Sequence, residues 1–514
     1  MNLSRTLIAA AVLSAVAAPS APAATLSLAG GTATYTAAGD ENNDLRIKPY
    51  PGGVLFEETA VPVQAGSGCG QLNTHAATCT GPGVQRVAAH LGDGVNVVHA
   101  TADYPTDLQG GGEANLFWGG PEGGTLSGGP GKDELHGGGK ADHLLGGDED
   151  DVLDGRAGAD SLDGGEGFDT VDYSDRTMAV EVSIDDNADD GTDFIVPEGD
   201  NVRTSVEQVR GGSGDDHLTG GSGGDYLLGG EGSDTLTGGP GADYIEGGAS
   251  SDTISGGYDP DVLIGDDGDD TLDGDAGDDL VQGTEGDDRL RGGTGADRVL
   301  GGAGSDTALY DDHAQPVTAD LDEINYDDGT EGEGDSIRTT ENLVGGQGDD
   351  RLVGNAAANR IAGGAGNDGV EGLAGPDVLL GELGDDTLRS DDGEADSDDC
   401  GDGSDTAFAD VADTKLACEL PEAPKPPEPP VQPAVVVKPS KPSADRKGYV
   451  RVKVRCPASA PARCAGTLRL RRGTRTYGKA RYSIAPGSTR TLRVKVKSSL
   501  RRSLGRRRLN VAAV

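Results

Sequence analysis

GGEGSDTLT at Gly229–Thr237 runs without a gap into GGPGADYIE at Gly238–Glu246, and GDDGDDTLD at Gly265–Asp273 keeps the same frame. The frame is nine residues long, G-G-x-G-x-D-x-U-x, with U a large apolar residue. Read outward from there it gives 23 units in three blocks: seven over 110–172, eleven over 211–309 and five over 345–389. The sixth position is Asp in 20 of the 23 and the eighth is apolar in all 23. A period this strict dictates the fold of every segment that carries it.

The spacing has a direct physical reading. Glycines at positions 1, 2 and often 4 permit left-handed turns that a Cβ opposes. The apolar residue at position 8 lies between polar neighbours, so x-U-x is a three-residue strand with one side chain turned inward. Two units then make one 18-residue coil, with a strand on each side and a glycine loop at each edge. Loops of units n and n+2 stack about 4.8 Å apart, the spacing of neighbouring strands. Their position-6 carboxylates converge with glycine carbonyls into an all-oxygen cage of the kind Ca2+ prefers. Asp234 pairs in this way with Asp252, and Asp252 with Asp270.

These units resemble the haemolysin-type calcium-binding repeats, the RTX nonapeptides. The resemblance implies an all-β chain built on a right-handed parallel β-roll with calcium ions between successive turns. Carried over unit by unit, it makes metal ligands of Asp133, Asp142, Asp151, Asp160 and Asp169 in the first block. In the second block it names Asp216, Asp225, Asp234, Asp243, Asp252, Asp261, Asp270, Asp279, Asp288, Asp297 and Asp306. In the third it names Asp350, Asp368, Asp377 and Asp386. Asn115, Gly124 and Asn359 hold the key position in the other three units, and because Asn offers a carbonyl oxygen but no charge, sites at the asparagines are expected to be weaker. Asp stands at both ends of an 18-residue step three, nine and two times in the successive blocks, giving at most 14 sites.

Charge points the same way. Residues 110–419 carry 78 acidic and 14 basic side chains. Such a density of like charge opposes compaction unless cations intervene. One apolar side chain per nine residues does not offset the entropy of ordering that backbone. Calcium binding and folding are therefore expected to be one event. The 0.1–1 mM range typical of extracellular modules (about that, by analogy) would fold the chain only outside a cell.

The flanks fit export. Arg5, the apolar run Leu7–Val16 and Ala21-Pro22-Ala23 read as a secretory signal peptide over residues 1–23. No later run is long and apolar enough for a transmembrane segment. Six cysteines fall into three local pairs, Cys69/Cys79, Cys400/Cys418 and Cys456/Cys464, which an exported chain uses as disulfides. Residues 24–109 read as an N-terminal β cap and 390–419 as a disulfide-closed cap at the far end. Two mutually similar excursions, Tyr173–Arg210 and Tyr310–Val344, separate the blocks, as if a roll-plus-excursion module had been duplicated. Residues 420–446 are a proline-rich linker. Residues 447–514 carry 20 Lys/Arg and no Asp or Glu, with period-two runs such as YVRVKVRC that predict a small β-sandwich.

Catalytic signals are missing. HExxH does not occur, and the one G-x-S-x-G string, Gly220–Gly224, lies inside a repeat turn without a strand–elbow–helix context. The expected function is thus non-enzymatic: a secreted, calcium-folded structural or adhesive protein at the cell surface or matrix. Its partners are calcium and, through the basic domain, polyanionic cell-envelope polymers, and not nucleic acid. The alternative is a secreted RTX-type toxin or a module attached to a hydrolase. The leader and the basic C-terminal domain make the chain more similar to repeat proteins of Gram-positive, high-GC envelopes than to those toxins.

Overall fold

The computed structural model describes residues 23–39, 41–192, 198–322, 327–418, 436–438, 449–456, 464–472, 475–496 and 510–513. The leader expected over residues 1–23 and the linker at 420–446 fall almost wholly outside them. The chain divides into two compact units, residues 1–421 and 422–514.

The first unit is a parallel β-solenoid of about 18 turns. Its regularity follows from position 8. Leu227, Leu236, Ile245, Ile254, Leu263 and Leu272 are all at most 1% exposed and stack into one continuous core. The register steps by 18 residues on each side, Leu236 pairing with Ile254 and Ile254 with Leu272, while Leu227 pairs with Ile245 and Ile245 with Leu263. A fully buried side chain of this size contributes roughly 1.5–3 kcal/mol. Polar residues at positions 7 and 9 face out.

The solenoid begins before the first recognisable repeat. Arg86–His90, Asn96–Ala100 and Thr106–Gln109 are already parallel members, pairing with Thr106–Gln109, Asn115–Trp118 and Gly124–Pro130 respectively. The N-terminal cap proper is a set of antiparallel strands: Ala24–Ala29 with Thr32–Thr36, Asn43–Tyr50 with Gly53–Glu58, and Cys69–Asn73 with Ala76–Thr80. Thr32–Thr36 and Asn43–Tyr50 also pair with the first parallel strands, which closes the starting edge. At the other end the coil runs on through Ser397–Asp399, Thr406–Ala409 and Thr414–Leu416, so 390–416 forms further turns beneath the disulfide Cys400–Cys418.

The excursions hand over the walls of the solenoid. One wall climbs from Arg86–His90 to Ser161–Glu166 and ends on Asn201–Val202 of the first excursion. Its successor starts on Val180–Ser183 of the same excursion and continues through His217–Thr219 to Thr414–Leu416. The opposite wall runs unbroken past this point and ends on Ser336–Arg338 of the second excursion. It is replaced from Thr318–Asp320 onward. Each excursion retires one wall and founds another.

The second unit consists, among the described residues, of two three-stranded antiparallel sheets. One joins Val436–Lys438, Tyr449–Arg455 and Thr489–Lys495; the other joins Arg475–Ile484, Cys464–Arg472 and Asn510–Ala513. Val450, Val452, Val454, Leu492 and Val494 alternate inward, and Cys456 is bonded to Cys464.

Candidate metal centre

All twenty position-6 aspartates are at most 3% exposed. They form ladders along the solenoid edges. Asp234 Oδ1 accepts the Asp216 N–H at 2.7 Å, Asp252 Oδ1 accepts Asp234 N–H at 2.7 Å, and Asp270 Oδ1 accepts Asp252 N–H at 2.8 Å. The opposite edge repeats this from Asp225 through Asp243, Asp261 and Asp279 to Asp297. One carboxylate oxygen per rung is thus spent on the backbone of the rung 18 residues earlier.

The second oxygen decides the chemistry. In fifteen of the twenty, Oδ2 is buried with no hydrogen-bond partner: Asp133, Asp151, Asp160, Asp169, Asp234, Asp243, Asp252, Asp261, Asp270, Asp279, Asp288, Asp297, Asp306, Asp368 and Asp386. Fourteen of these are the upper rungs of the fourteen Asp–Asp pairs, and the fifteenth, Asp133, stacks on Asn115. A buried acceptor left unmade costs about 1–3 kcal/mol, more when charged. Each of these oxygens lies over the position-1 glycine of its own unit. A Cβ added to Gly229 would sit 2.2 Å from Asp234 Oδ2 and 2.6 Å from the Gly247 carbonyl, and one on Gly265 would sit 2.1 Å from Asp270 Oδ2. Position 1 is glycine because a carboxylate and a carbonyl oxygen share that space.

Four of the remaining five rungs follow a rule the sequence does not display; the fifth, Asp377, stacks on Asn359 and accepts its N–H at 2.9 Å. Asp142, Asp216, Asp225 and Asp350 turn Oδ2 to the N–H of the position-2 glycine in their own loop, Gly138, Gly212, Gly221 and Gly346, at 2.6–2.7 Å. The residue stacked below each is Gly124, Val180, Glu207 and Val317, none of them Asp. Where neither Asp nor Asn lies below, the loop peptide turns inward and satisfies Oδ2 itself, although Asp142 keeps a buried Oδ1 without a partner. Gly230, in a regular loop, has φ +118°, whereas Gly212 lies outside the left-handed region. Asn359 accepts from Asn355 N–H in the same way and donates to the Glu341 carbonyl. Asn115 donates its amide to Asp133 Oδ1 and accepts from Asn96, which accepts from Asn43. The asparagine rungs, where weaker sites are expected, are satisfied by protein groups.

Two further rungs escape the nine-residue count. Asp396 and Asp405 accept the N–H groups of Asp377 and Asp386 at 2.7 and 2.9 Å, and both carry a buried, unpartnered Oδ2. Each lies 19 residues from its partner rather than 18. That extra residue hides them from a strict count, although the Asp-x-U pattern in DTAF (Asp405–Phe408) was a visible trace.

Electrostatics explains why the ladders call for cations. Burial pushes Asp151, Asp160 and Asp279 up to about 8, against the pull of the backbone N–H each accepts and with neighbouring carboxylates adding to the rise. Asp234, Asp252, Asp261 and Asp288 are pushed up to about 7 for the same reasons. Two charges about 5 Å apart repel by roughly 3 kcal/mol at an effective dielectric of 20, as much as the unit's one buried leucine contributes. Among the described residues no three His, Cys, Asp or Glu side chains converge on one point. The donor set at each level is two stacked carboxylates with glycine carbonyls, hard oxygen chemistry that suits calcium and offers nothing to thiolate- or imidazole-seeking metals.

The model of the RTX calcium-binding nonapeptide repeat (four copies) matches residues 118–150, 136–171, 210–245, 246–281, 273–308, 339–370 and 370–394. The chain carries haemolysin-type calcium-binding repeats. Its RTX windows coincide with the three blocks and stop short of Asp396 and Asp405. No curated protein matches the chain. The RTX repeats bind calcium, and the residues that would hold it here are the paired position-6 aspartates with the loop carbonyls beside them.

Proposed function

We propose that this RTX chain is an exported scaffold that folds on meeting external calcium and carries its basic C-terminal unit to a cell surface or matrix. The observation that carries this reading is the row of buried carboxylate oxygens without partners, which leaves most rungs of the ladders unsatisfied by the protein alone. Supporting it are the apolar leader in the sequence and three disulfides, Cys69–Cys79, Cys400–Cys418 and Cys456–Cys464, a chemistry suited to oxidising compartments. No helix among the described residues is long and apolar enough to cross a membrane.

The second unit supplies the surface contact. On the sheet of Tyr449–Arg455 and Thr489–Lys495 the exposed basic side chains are Arg451, Lys453, Arg455, Arg490, Arg493 and Lys495, with Arg451 directly opposite Arg493, whose guanidinium lies over the Tyr449 ring. Like charges placed opposite one another weaken a sheet unless an anion bridges them, and a polyanionic envelope polymer provides repeated anions. The role is structural or adhesive, without catalysis. The test is a calcium titration of the full chain after EDTA treatment, followed by far-UV circular dichroism and by the fluorescence of Trp118, the one tryptophan. A cooperative transition with calcium and none with magnesium is expected. A solenoid already formed in EDTA would refute the coupling.

A further inference from the structure

Besides the terminal Asp413, whose Oδ2 accepts from Asp410 N–H and Ser390 Oγ, the ladder rule has two exceptions that are built alike. Once the excursions are folded, Asp200 stacks on Asp160 and Asp335 on Asp297: their Oδ1 atoms accept the Asp160 and Asp297 N–H groups at 2.9 and 3.0 Å. These are two more carboxylate pairs, separated by 40 and 38 residues. By the rule, Oδ2 of each upper rung should lack a partner. Instead Tyr173 Oη donates to Asp200 Oδ2 at 3.0 Å and Tyr310 Oη donates to Asp335 Oδ2 at 3.1 Å. Both tyrosines are buried, 1% and 4% exposed, and both aspartates are at most 1% exposed.

The surroundings match in both excursions. The Asp200 and Asp335 N–H groups donate to the carbonyls of Asp190 and Asp328 at 2.9 and 3.0 Å. Asp190 and Asp328 in turn accept from Ser183 and Asp320 N–H at 2.7 and 2.8 Å. In the second excursion the residue five before Asp335 is Thr330, and Glu331 follows it, where a repeat unit has two glycines. Both pairs lie at the level where a wall of the solenoid ends, on Asn201–Val202 and on Ser336–Arg338.

We propose that Tyr173 and Tyr310 are plugs that end two calcium rows: each hydroxyl supplies the positive hydrogen that a cation supplies elsewhere, so the Asp160–Asp200 and Asp297–Asp335 pairs hold no metal. The excursions then divide the calcium array into separate rows and allow the walls to change without an exposed, half-built site. The inference rests on the calcium reading of the regular ladders, and its test separates the two.

Bound calcium per chain is measured by equilibrium dialysis on the full chain, wild type against Asp200→Asn, Asp335→Asn and Asp252→Asn. Asparagine keeps the Oδ1 acceptor and can donate its amide to the tyrosine oxygen. The expected result is a calcium count unchanged in Asp200→Asn and Asp335→Asn but lower by one or two ions in Asp252→Asn. Loss of an ion in either excursion variant overturns the plug. A wild-type chain that binds no calcium, or an Asp252→Asn variant that loses none, overturns the ladder reading instead. Should an Asp200→Asn or Asp335→Asn chain fail to fold, Tyr173→Phe and Tyr310→Phe decide the matter. A count that stays level or rises supports exclusion of metal by the hydroxyl, and a count that falls makes the tyrosine part of a calcium site.

Discussion

The acidic solenoid and the basic C-terminal sheets use the same alternation of apolar and polar residues and place their charge oppositely. In the solenoid the carboxylates of Asp234, Asp252 and Asp270 are turned into the edge and buried at 1–2% exposure. On the strand Tyr449–Arg455 of the C-terminal unit Arg451, Lys453 and Arg455 point out, while Val450, Val452 and Val454 are buried. Charge in water costs a strand little, whereas buried charge must be neutralised, paired or coordinated. The comparison predicts a fold that depends on a counter-ion in the first unit and not in the second.

Removal of metal tests this most severely. Excess EDTA at pH 8 is expected to abolish most of the far-UV β signal of the full chain and to shift the emission of Trp118, which is stacked between His99 and His136 on the solenoid. The C-terminal strands should survive, seen as slow amide exchange across Val450–Val454. Equal loss in both units would break the contrast.

Acid should replace calcium in part. Burial raises Asp151, Asp160 and Asp279 from 3.8 to about 8, so their protonated forms favour the fold. That stability is fully present below about pH 4 and is lost as pH rises through 7 to 8. In EDTA the solenoid is therefore expected to regain β structure on going from pH 8 to pH 4. A pH titration by circular dichroism showing no gain would count against buried carboxylates as the obstacle.

Core deletions should destabilise both units, by amounts set by the side chain removed. Leu263→Ala removes a fully buried position-8 side chain and is expected to cost about 2–5 kcal/mol in calcium, read from chemical denaturation. Val452→Ala should cost less, and its effect should be independent of calcium. Asp252→Asn removes one charged ligand from two levels and should raise the calcium midpoint about tenfold, a shift of ~1.4 kcal/mol. Smallest is the surface effect. Arg451→Gln with Arg493→Gln should leave folding untouched, weaken retention on a polyanion column and lessen its dependence on salt.

Much of this was legible in the chain. The nine-residue period marked Leu263 as core and Asp252 as a rung, because each property belongs to one position in a local frame. The alternation in YVRVKVRC placed Val450 inside and Arg451 outside for the same reason. Asp396 and Asp405 were not legible, since a one-residue insertion breaks the frame while the strands above and below still pair. The start of the coil was legible only in part: LGDGVNVV at Leu91–Val98 reads as a degenerate repeat leading into the roll, but Asn96 replaces the aspartate there and hydrogen-bonds without a charge, and the strand from Arg86 carries no repeat signal.

By itself, then, the sequence determined which residues turn inward, the 18-residue step and the oxygen chemistry of the edges, all of them consequences of local periodicity. Tertiary structure alone decided which carboxylates are left unsatisfied. Asp216 and Asp234 sit in units with the same glycines, GGSGDD and GGEGSD, yet one turns its oxygen to Gly212 and the other leaves it open. The difference lies in what is stacked beneath, a valine of the excursion or another aspartate. That neighbour comes from a different turn of the coil, and only the folded stack brings the two together.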